Sequence, residues 1–264
     1  MQPLLSIITI NLNNREGLRK TIESVVAQTA HNFEYIIIDG GSVDGSKELI
    51  ESYGPSIAYW QSRKDKGIYN AMNQGIDHAK GEFCLFLNAG DYLLKEGAID
   101  DFLPYLPKYD LVCGNILFDG VVDEIAECLP QTISLDFMYF ASLWHPATFI
   151  RTALFKKFGK YNEEFRIAAD YDFFLKLIDD GGIKIKTIDN LFDAHKRDGI
   201  SSLPKFQRLN QQESRWAQKT HLSRKTRRNL AFHYWLQLPI KQKCTFWVRK
   251  TKVGDYFLNL LKGH

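Results

Sequence analysis

Four short apolar runs, each closing on polar residues and separated by helical patterns, fill residues 4–91 and constrain this 264-residue chain more than any other feature. Leu4 to Ile10, Glu34 to Ile38, Ile57 to Gln61 and Phe83 to Leu87 have strand length and are rich in β-branched and aromatic residues. Between them, Arg15 to Ala27, Asp44 to Tyr53 and Ile68 to Ala79 repeat apolar residues at helical spacing; in the first, Leu18, Ile22, Val25 and Val26 form the stripe, behind Asn13 and Asn14 as caps. Parallel neighbours need a crossover that returns over the sheet face, so this rhythm predicts an α/β fold with a mostly parallel, doubly wound, Rossmann-like sheet. In such sheets ligands bind beyond the carboxyl ends of the strands. Those ends carry Thr9 and Asn11, then Asp39, then Asp65 and Lys66, then Asn88 with Asp91.

Further along, Tyr109 to Phe118 reads as another strand, Arg151 to Phe158 as a short helix, and Asp170 to Asp180 as a helix with Phe173, Phe174, Leu177 and Ile178 on its apolar side. Charge then divides the chain. Residues 1–195 hold 18 Lys and Arg against 28 Asp and Glu, a balance of −10; residues 196–264 hold 16 against 3, a balance of +13. The break falls at Asp198 to Pro204, where Gly199, Ser201 and Ser202 interrupt the pattern, so a domain over 1–200 and a basic, mostly helical extension over 201–264 are expected. Basic residues in that extension alternate with Trp216, Trp235, Phe246, Trp247 and Phe257.

An apolar fraction of 45% is ample for a buried core, and no stretch approaches the ~20 apolar residues of a membrane span. The amino terminus lacks a basic region followed by a long apolar run. Cys84, Cys113, Cys128 and Cys244 lack CxxC spacing, which argues against a zinc site or disulfide framework and fits a reducing compartment. A cytoplasmic protein, with membrane contact at most peripheral, is the expectation.

Three stretches carry candidate chemistry. Ile37 to Ser46 sets Asp39 and Asp44 among three glycines, able to accept from a base or ribose while letting a ligand approach the backbone; the plainer alternative is a tight turn capping a helix. GxGxxG spacing is absent, which disfavours a dinucleotide fold. Phe86 to Asp91 offers an exposed carboxylate, Asp91, to Mg²⁺ or Mn²⁺, or else an ordinary turn. Ala168 to Phe173 sets Asp170 at a helix start as a general base, with Asp172 as the alternative and helix capping as the plainer role.

Asp39 to Ser46, Asp65 to Gly75 (DKGIYNAMNQG) and Phe86 to Asp91 together resemble family 2 glycosyltransferases, in the branch that builds bacterial surface polysaccharides such as colanic acid. The resemblance spans residues 4 to 201 and is strongest before Leu94. It implies a GT-A fold and inverting transfer from a nucleotide-diphosphate sugar, UDP- or GDP-linked, to a saccharide or lipid-linked acceptor, with Mn²⁺ or Mg²⁺. By the same resemblance Thr9, Asn11 and Asp39 line the nucleotide pocket, with Asp65 and Lys66 near the base or phosphates. Asn88 lies by the donor where many members have aspartate, and Asp91 is the metal-binding carboxylate of an Asp-any-Asp element. Asp170 is the catalytic base, with Ala169 in the position of the family's glutamate. His145 faces the donor or acceptor sugar, and His195 supplies a further metal or diphosphate ligand, an imidazole suiting Mn²⁺ better than Mg²⁺.

The basic extension could dock on anionic lipid, bind nucleic acid or solvate a helical surface. The resemblance favours the membrane, with contact at Phe232 to Ile240, and no nucleic acid; the aromatic residues leave room for a homodimer. Two rival functions are a sugar-1-phosphate nucleotidyltransferase, for which the loop Asn11 to Gly17 is too poor in glycine, and a non-catalytic nucleic-acid-binding protein acting through the extension.

Overall fold

A computed structural model describes residues 2–119, 125–196 and 204–237. The amino-terminal half follows the predicted rhythm: β1 (Leu5–Asn11), α1 (Arg15–Val26), β2 (Phe33–Asp39), α2 (Ser46–Ser52), β3 (Tyr59–Ser62), α3 (Ile68–His78) and β4 (Phe83–Phe86). These strands lie in the order β3-β2-β1-β4, all parallel, with Asn11 opposite Asp39 in the β1–β2 register. Asn14 caps α1, its side chain accepting from the Gly17 amide.

Alternation along the strands feeds two cores. Ile8, Ile10, Ile36 and Ile38 pack with α3, while Leu5, Ile7, Tyr35 and Ile37 pack on Leu18, Ile22 and Val25 of α1. Helix α3 lies close on the sheet because residue 75 is glycine; a Cβ there would come within 2.4 Å of Ile8 Cγ2.

The carboxy-terminal half departs from the expected mostly parallel sheet. It comprises β5 (Tyr92–Leu93), β6 (Leu111–Asp119), β7 (Ile125–Glu127), α4 (Leu135–Phe140), β8 (Thr148–Arg151), α5 (Ala153–Phe158), α6 (Ala169–Asp180), β9 (Ile185–Lys196), α7 (Pro204–His221) and α8 (Arg224–Gln237). The sheet continues β4-β8-β6-β9-β5, with β7 on β6; β8 runs antiparallel to both its neighbours and β5 antiparallel to β9, while β9 is parallel to β6. The helix expected from Arg151 begins at Ala153, because Thr148, Phe149 and Ile150 form a fully buried strand.

Helix α6 buries Phe173, Phe174, Leu175 and Leu177, with Phe155 of α5 stacked on Phe173 at 4.7 Å. The boundary expected at Asp198 to Pro204 falls largely on residues 197–203, outside the described set. Beyond it, α7 and α8 join the core already built: Ala217, Leu222 and Leu230 pack in the same cluster as α6, and Trp216 stacks on Phe165 at 4.4 Å. None of the described helices is long and apolar enough to cross a membrane.

Candidate active site

The carboxyl edge of the parallel half is organised around Asp39. Its side chain is fully buried, with Oδ1 accepting from Asn11 Nδ2 (2.8 Å) and the Ser42 hydroxyl, and Oδ2 from the Ser42 and Gly41 amides (2.9 and 3.2 Å) and the Ser62 hydroxyl (2.6 Å). Burial alone would raise this carboxyl's pKa; the bonds from Ser42, Ser62 and Asn11 outweigh it and hold the pKa below the usual value. Asp39 therefore anchors the ends of β1, β2 and β3 to one another at the edge where a base or ribose is expected. Gly41 takes φ of +83°, a conformation that favours glycine, and turns the loop back over Asp39.

Asp65 reaches the same loop, since a Cβ on Gly40 would lie 2.7 Å from its Oδ2. Its Oδ1 accepts the Gly67 amide at the entry to α3, and Lys66 stands exposed beside it. Asp44 ties the loop to α1 by accepting the Arg15 amide (2.8 Å). Thr9 is corrected outright. It lies in the strand interior, fully buried, its hydroxyl 2.9 Å from that of Tyr35, because alternation sets it on the face of Ile7 and away from the edge.

Asp91 departs from the expected exposure. Expected as an exposed carboxylate, it is 3% exposed, and its Oδ2 accepts the Asn88 amide (3.1 Å) across a tight turn. Among the described residues no three His, Cys, Asp or Glu side chains group to hold a cation. His195 ends β9, whose register sets Ala194 opposite Tyr92 beside Asp91; its side chain lies outside the described residues.

The reversal of the sheet at β4–β8 builds the other half of the site. Because β8 runs antiparallel to β4, the turn entering β8 falls on the same edge as the loop leaving β4. Asn88 Nδ2 meets His145 Nε2 at 3.0 Å, and His145 Nδ1 meets Asp170 Oδ2 at 3.1 Å. With Asn88 donating to Nε2, the imidazole proton sits on Nδ1 and is donated to Asp170. Both ring nitrogens of His145 are thus engaged, by Asn88 and by Asp170. Tyr69 of α3 completes the set, its single hydroxyl proton shared between the Ile167 carbonyl and Asp170 Oδ1, the latter at 3.1 Å.

The alternative base, Asp172, faces away. It is buried, with Oδ1 2.7 Å from His221 Nε2 on α7. Asp170 and His145 instead line a cavity of about 350 Å³, walled by Tyr139, Trp144, Tyr171 and, from α7, Gln218. Sequence reasoning misses Tyr69 and the α7 wall, although Tyr69 sits within the Asp65 to Gly75 motif.

The polar edge thus lies on a parallel half-sheet sewn to a mixed one. The profile of the family described as "Glycosyl transferase family 2" matches residues 6–127. An uncharacterized glycosyltransferase of Mycobacterium tuberculosis is 35% identical over 179 residues, 66% of this chain and 68% of that protein. A PGL/p-HBAD biosynthesis glycosyltransferase of the same organism is 31% identical over 178 residues, 65% of this chain and 68% of the relative. The chain belongs to glycosyl transferase family 2. Among solved structures, residues 1–349 of Staphylococcus aureus TarS in complex with UDP-GlcNAc superpose with a TM-score of 0.65 at 19% identity, covering 93% of this chain and 78% of that TarS fragment. The mannosyltransferase PcManGT of Pyrobaculum calidifontis, in complex with GDP-Man and Mn²⁺, gives 0.58 at 14% identity over 100% of this chain and 89% of its own.

Proposed function

We propose that this glycosyltransferase moves a sugar from a nucleoside-diphosphate donor to a hydroxyl of a saccharide acceptor, with inversion at the anomeric carbon. The observation that carries the reading is the placement of Asp170 at the seam, held by His145 and Tyr69 with the cavity open beside it. The donor lies over the Asn11–Asp39–Asp65 edge with Lys66 near its phosphates. Two buried oxygens there, Asn11 Oδ1 and Asn88 Oδ1, have no partner among the described residues and suit an incoming hydroxyl or N–H. The acceptor sugar occupies the cavity, where Tyr139, Trp144 and Tyr171 offer aromatic faces. Asp170 takes the acceptor proton as that oxygen bonds C1, and the bond from C1 to the diphosphate breaks on the opposite face. The nucleoside diphosphate leaves with the electron pair. His145 and Tyr69 fix the plane of the carboxylate.

Asp91 turns one oxygen, Oδ2, onto the Asn88 amide. Asn88 Oδ1 fits a hard ion, and Mn²⁺ or Mg²⁺ bound there with the donor phosphates would neutralise charge on the leaving group.

A screen of UDP- and GDP-sugars for thermal stabilisation, with and without Mn²⁺, tests the donor. At about 100 times its Kd one of them is expected to stabilise the protein by about 2.7 kcal/mol, several degrees in Tm. Absence of any shift across the panel would sink the reading.

The surface of α7 and α8 supports peripheral contact with anionic membrane. Arg208, Arg215, Lys219, Arg224, Lys225 and Arg228 are exposed, and Phe140, Phe232 and Leu236 stand out of the same helical layer at half or more of their area. Residues 238–240 of the expected contact segment lie outside the described set. Co-sedimentation is expected with vesicles containing phosphatidylglycerol, weakening as salt rises, and not with neutral vesicles. Tighter binding to RNA than to those vesicles would overturn this assignment.

A further inference from the structure

Between residues 206 and 236 the sequence holds seven Lys and Arg and a single carboxylate, Glu213. On an exposed basic helix that carboxylate would be expected to face the neighbouring cations. It faces inward instead and is 7% exposed. Both its oxygens are used: Oε1 accepts the Arg166 amide (3.0 Å), and Oε2 accepts those of Ile167 (2.9 Å) and Ala168 (3.0 Å).

Those three amides form the approach to α6, which is a helix entry without a local cap. Ala168 stands at the N-cap and has no side chain able to accept a bond. A carboxylate from 45 residues further along takes up the Ala168 amide and the two before it and places its charge near the positive end of the helix, while Asp170 Oδ1 accepts the Tyr171 amide inside the first turn. Asp170 follows two residues after Ala168. The Ile167 carbonyl, between two of the clamped amides, is also the acceptor for Tyr69, which in turn holds Asp170 Oδ1. Glu213, the 166–168 segment, Tyr69 and Asp170 are therefore joined by consecutive hydrogen bonds.

We infer that Glu213 is a positioning residue for the reaction: by fixing three consecutive backbone amides it sets the Asp170 carboxylate against His145 and the mouth of the cavity. The inference rests on Asp170 being the base. It makes α7, whose Gln218 also bonds Tyr171 and the Tyr139 carbonyl at the cavity wall, part of the catalytic apparatus. A carboxylate displaced by about 1 Å loses about 10²-fold in rate, which sets the scale of the effect.

Glu213→Gln keeps the length of the side chain but turns one acceptor into a donor that faces an amide N–H. In the full chain, with the UDP- or GDP-sugar that stabilises it most as probe, release of nucleoside diphosphate is expected to slow about 10- to 100-fold in kcat. The donor KM and the donor-induced melting shift are expected to stay within about twofold. Hydrogen exchange at residues 166–168, measured without turnover, should accelerate. Should Glu213→Gln fail to fold, Glu213→Asp, which keeps the charge but shortens the reach, takes the same measurements. Faster exchange with kcat within twofold of wild type would reduce Glu213 to a structural cap and overturn the inference. Protected amides in a wild-type protein that turns over no nucleotide sugar would end both the transfer reading and the positioning role, while leaving the clamp itself standing.

Discussion

Asp170→Asn is expected to bind the nucleotide-sugar donor with affinity within about twofold of wild type and to turn it over about 10²- to 10⁴-fold more slowly. The amide has nearly the shape of the carboxylate, and its oxygen can still accept from Tyr69, so the segment before α6 and the donor edge keep their geometry. It cannot take up the acceptor proton, and its NH₂ group meets the proton on His145 Nδ1. Calorimetric titration of the donor, set beside nucleoside diphosphate release, separates the two effects. The control is Asp172→Asn two residues on, which disturbs the pair with His221 and lowers stability without touching kcat. Wild-type turnover in Asp170→Asn would remove this residue from the mechanism.

The second large effect is on stability. Asp39→Ala leaves Asn11 Nδ2, the hydroxyls of Ser42 and Ser62 and two backbone amides without the acceptor they share, at a fully buried position. Each buried donor left without its acceptor costs about 1 to 3 kcal/mol, and the donor edge should lose its affinity as well. The pH dependence has a defined sign. Burial pushes the Asp39 pKa up, the hydrogen bonds from Ser42, Ser62 and Asn11 pull it down further, and the folded value lies below that of an ordinary aspartate. Its stabilising contribution is therefore complete above the unfolded pKa, about 3.9, and is lost as pH falls through the lower folded value. Urea unfolding should show Asp39→Asn less stable than wild type at neutral pH, with a flatter decline below about pH 4. An Asp39→Ala protein as stable as wild type would show that the network is dispensable.

Much of the parallel half was legible because its signals are local. Period-two alternation, helical stripes and the Asn14 cap each lie within a dozen residues, and the strands and helices they predict form within a few residues of the expected bounds. The same alternation, read one step further, also excludes Thr9: two residues inside the strand end, it shares a face with Ile7 and is buried with it. The direction of Asp91 was less accessible. Asn-Ala-Gly-Asp reads alike whether the carboxylate points outward or folds back onto the Asn88 amide, although a spacing of three between Asn88 and Asp91 suits a turn better than an Asp-any-Asp pair. Nothing in Gln211-Gln212-Glu213-Ser214 announces a partner at Arg166, and only the packing of α7 on α6 supplies it. The mixed half escaped for a related reason. Thr148–Arg151 is four residues long and owes its strand conformation to β4 and β6 on either side, not to any pattern of its own.

The join between β4 and β8 has a consequence for how such a chain can diversify. Everything assigned to gripping the nucleotide comes from residues before it, and the cavity walls come from residues after it. A lineage could exchange one moiety for another on the receiving side by altering the later portion alone, leaving the earlier one undisturbed. At the mouth of the cavity Asn88, His145, Tyr69 and Asp170 meet across the divide, so those side chains set the tolerance to which any such exchange must be fitted.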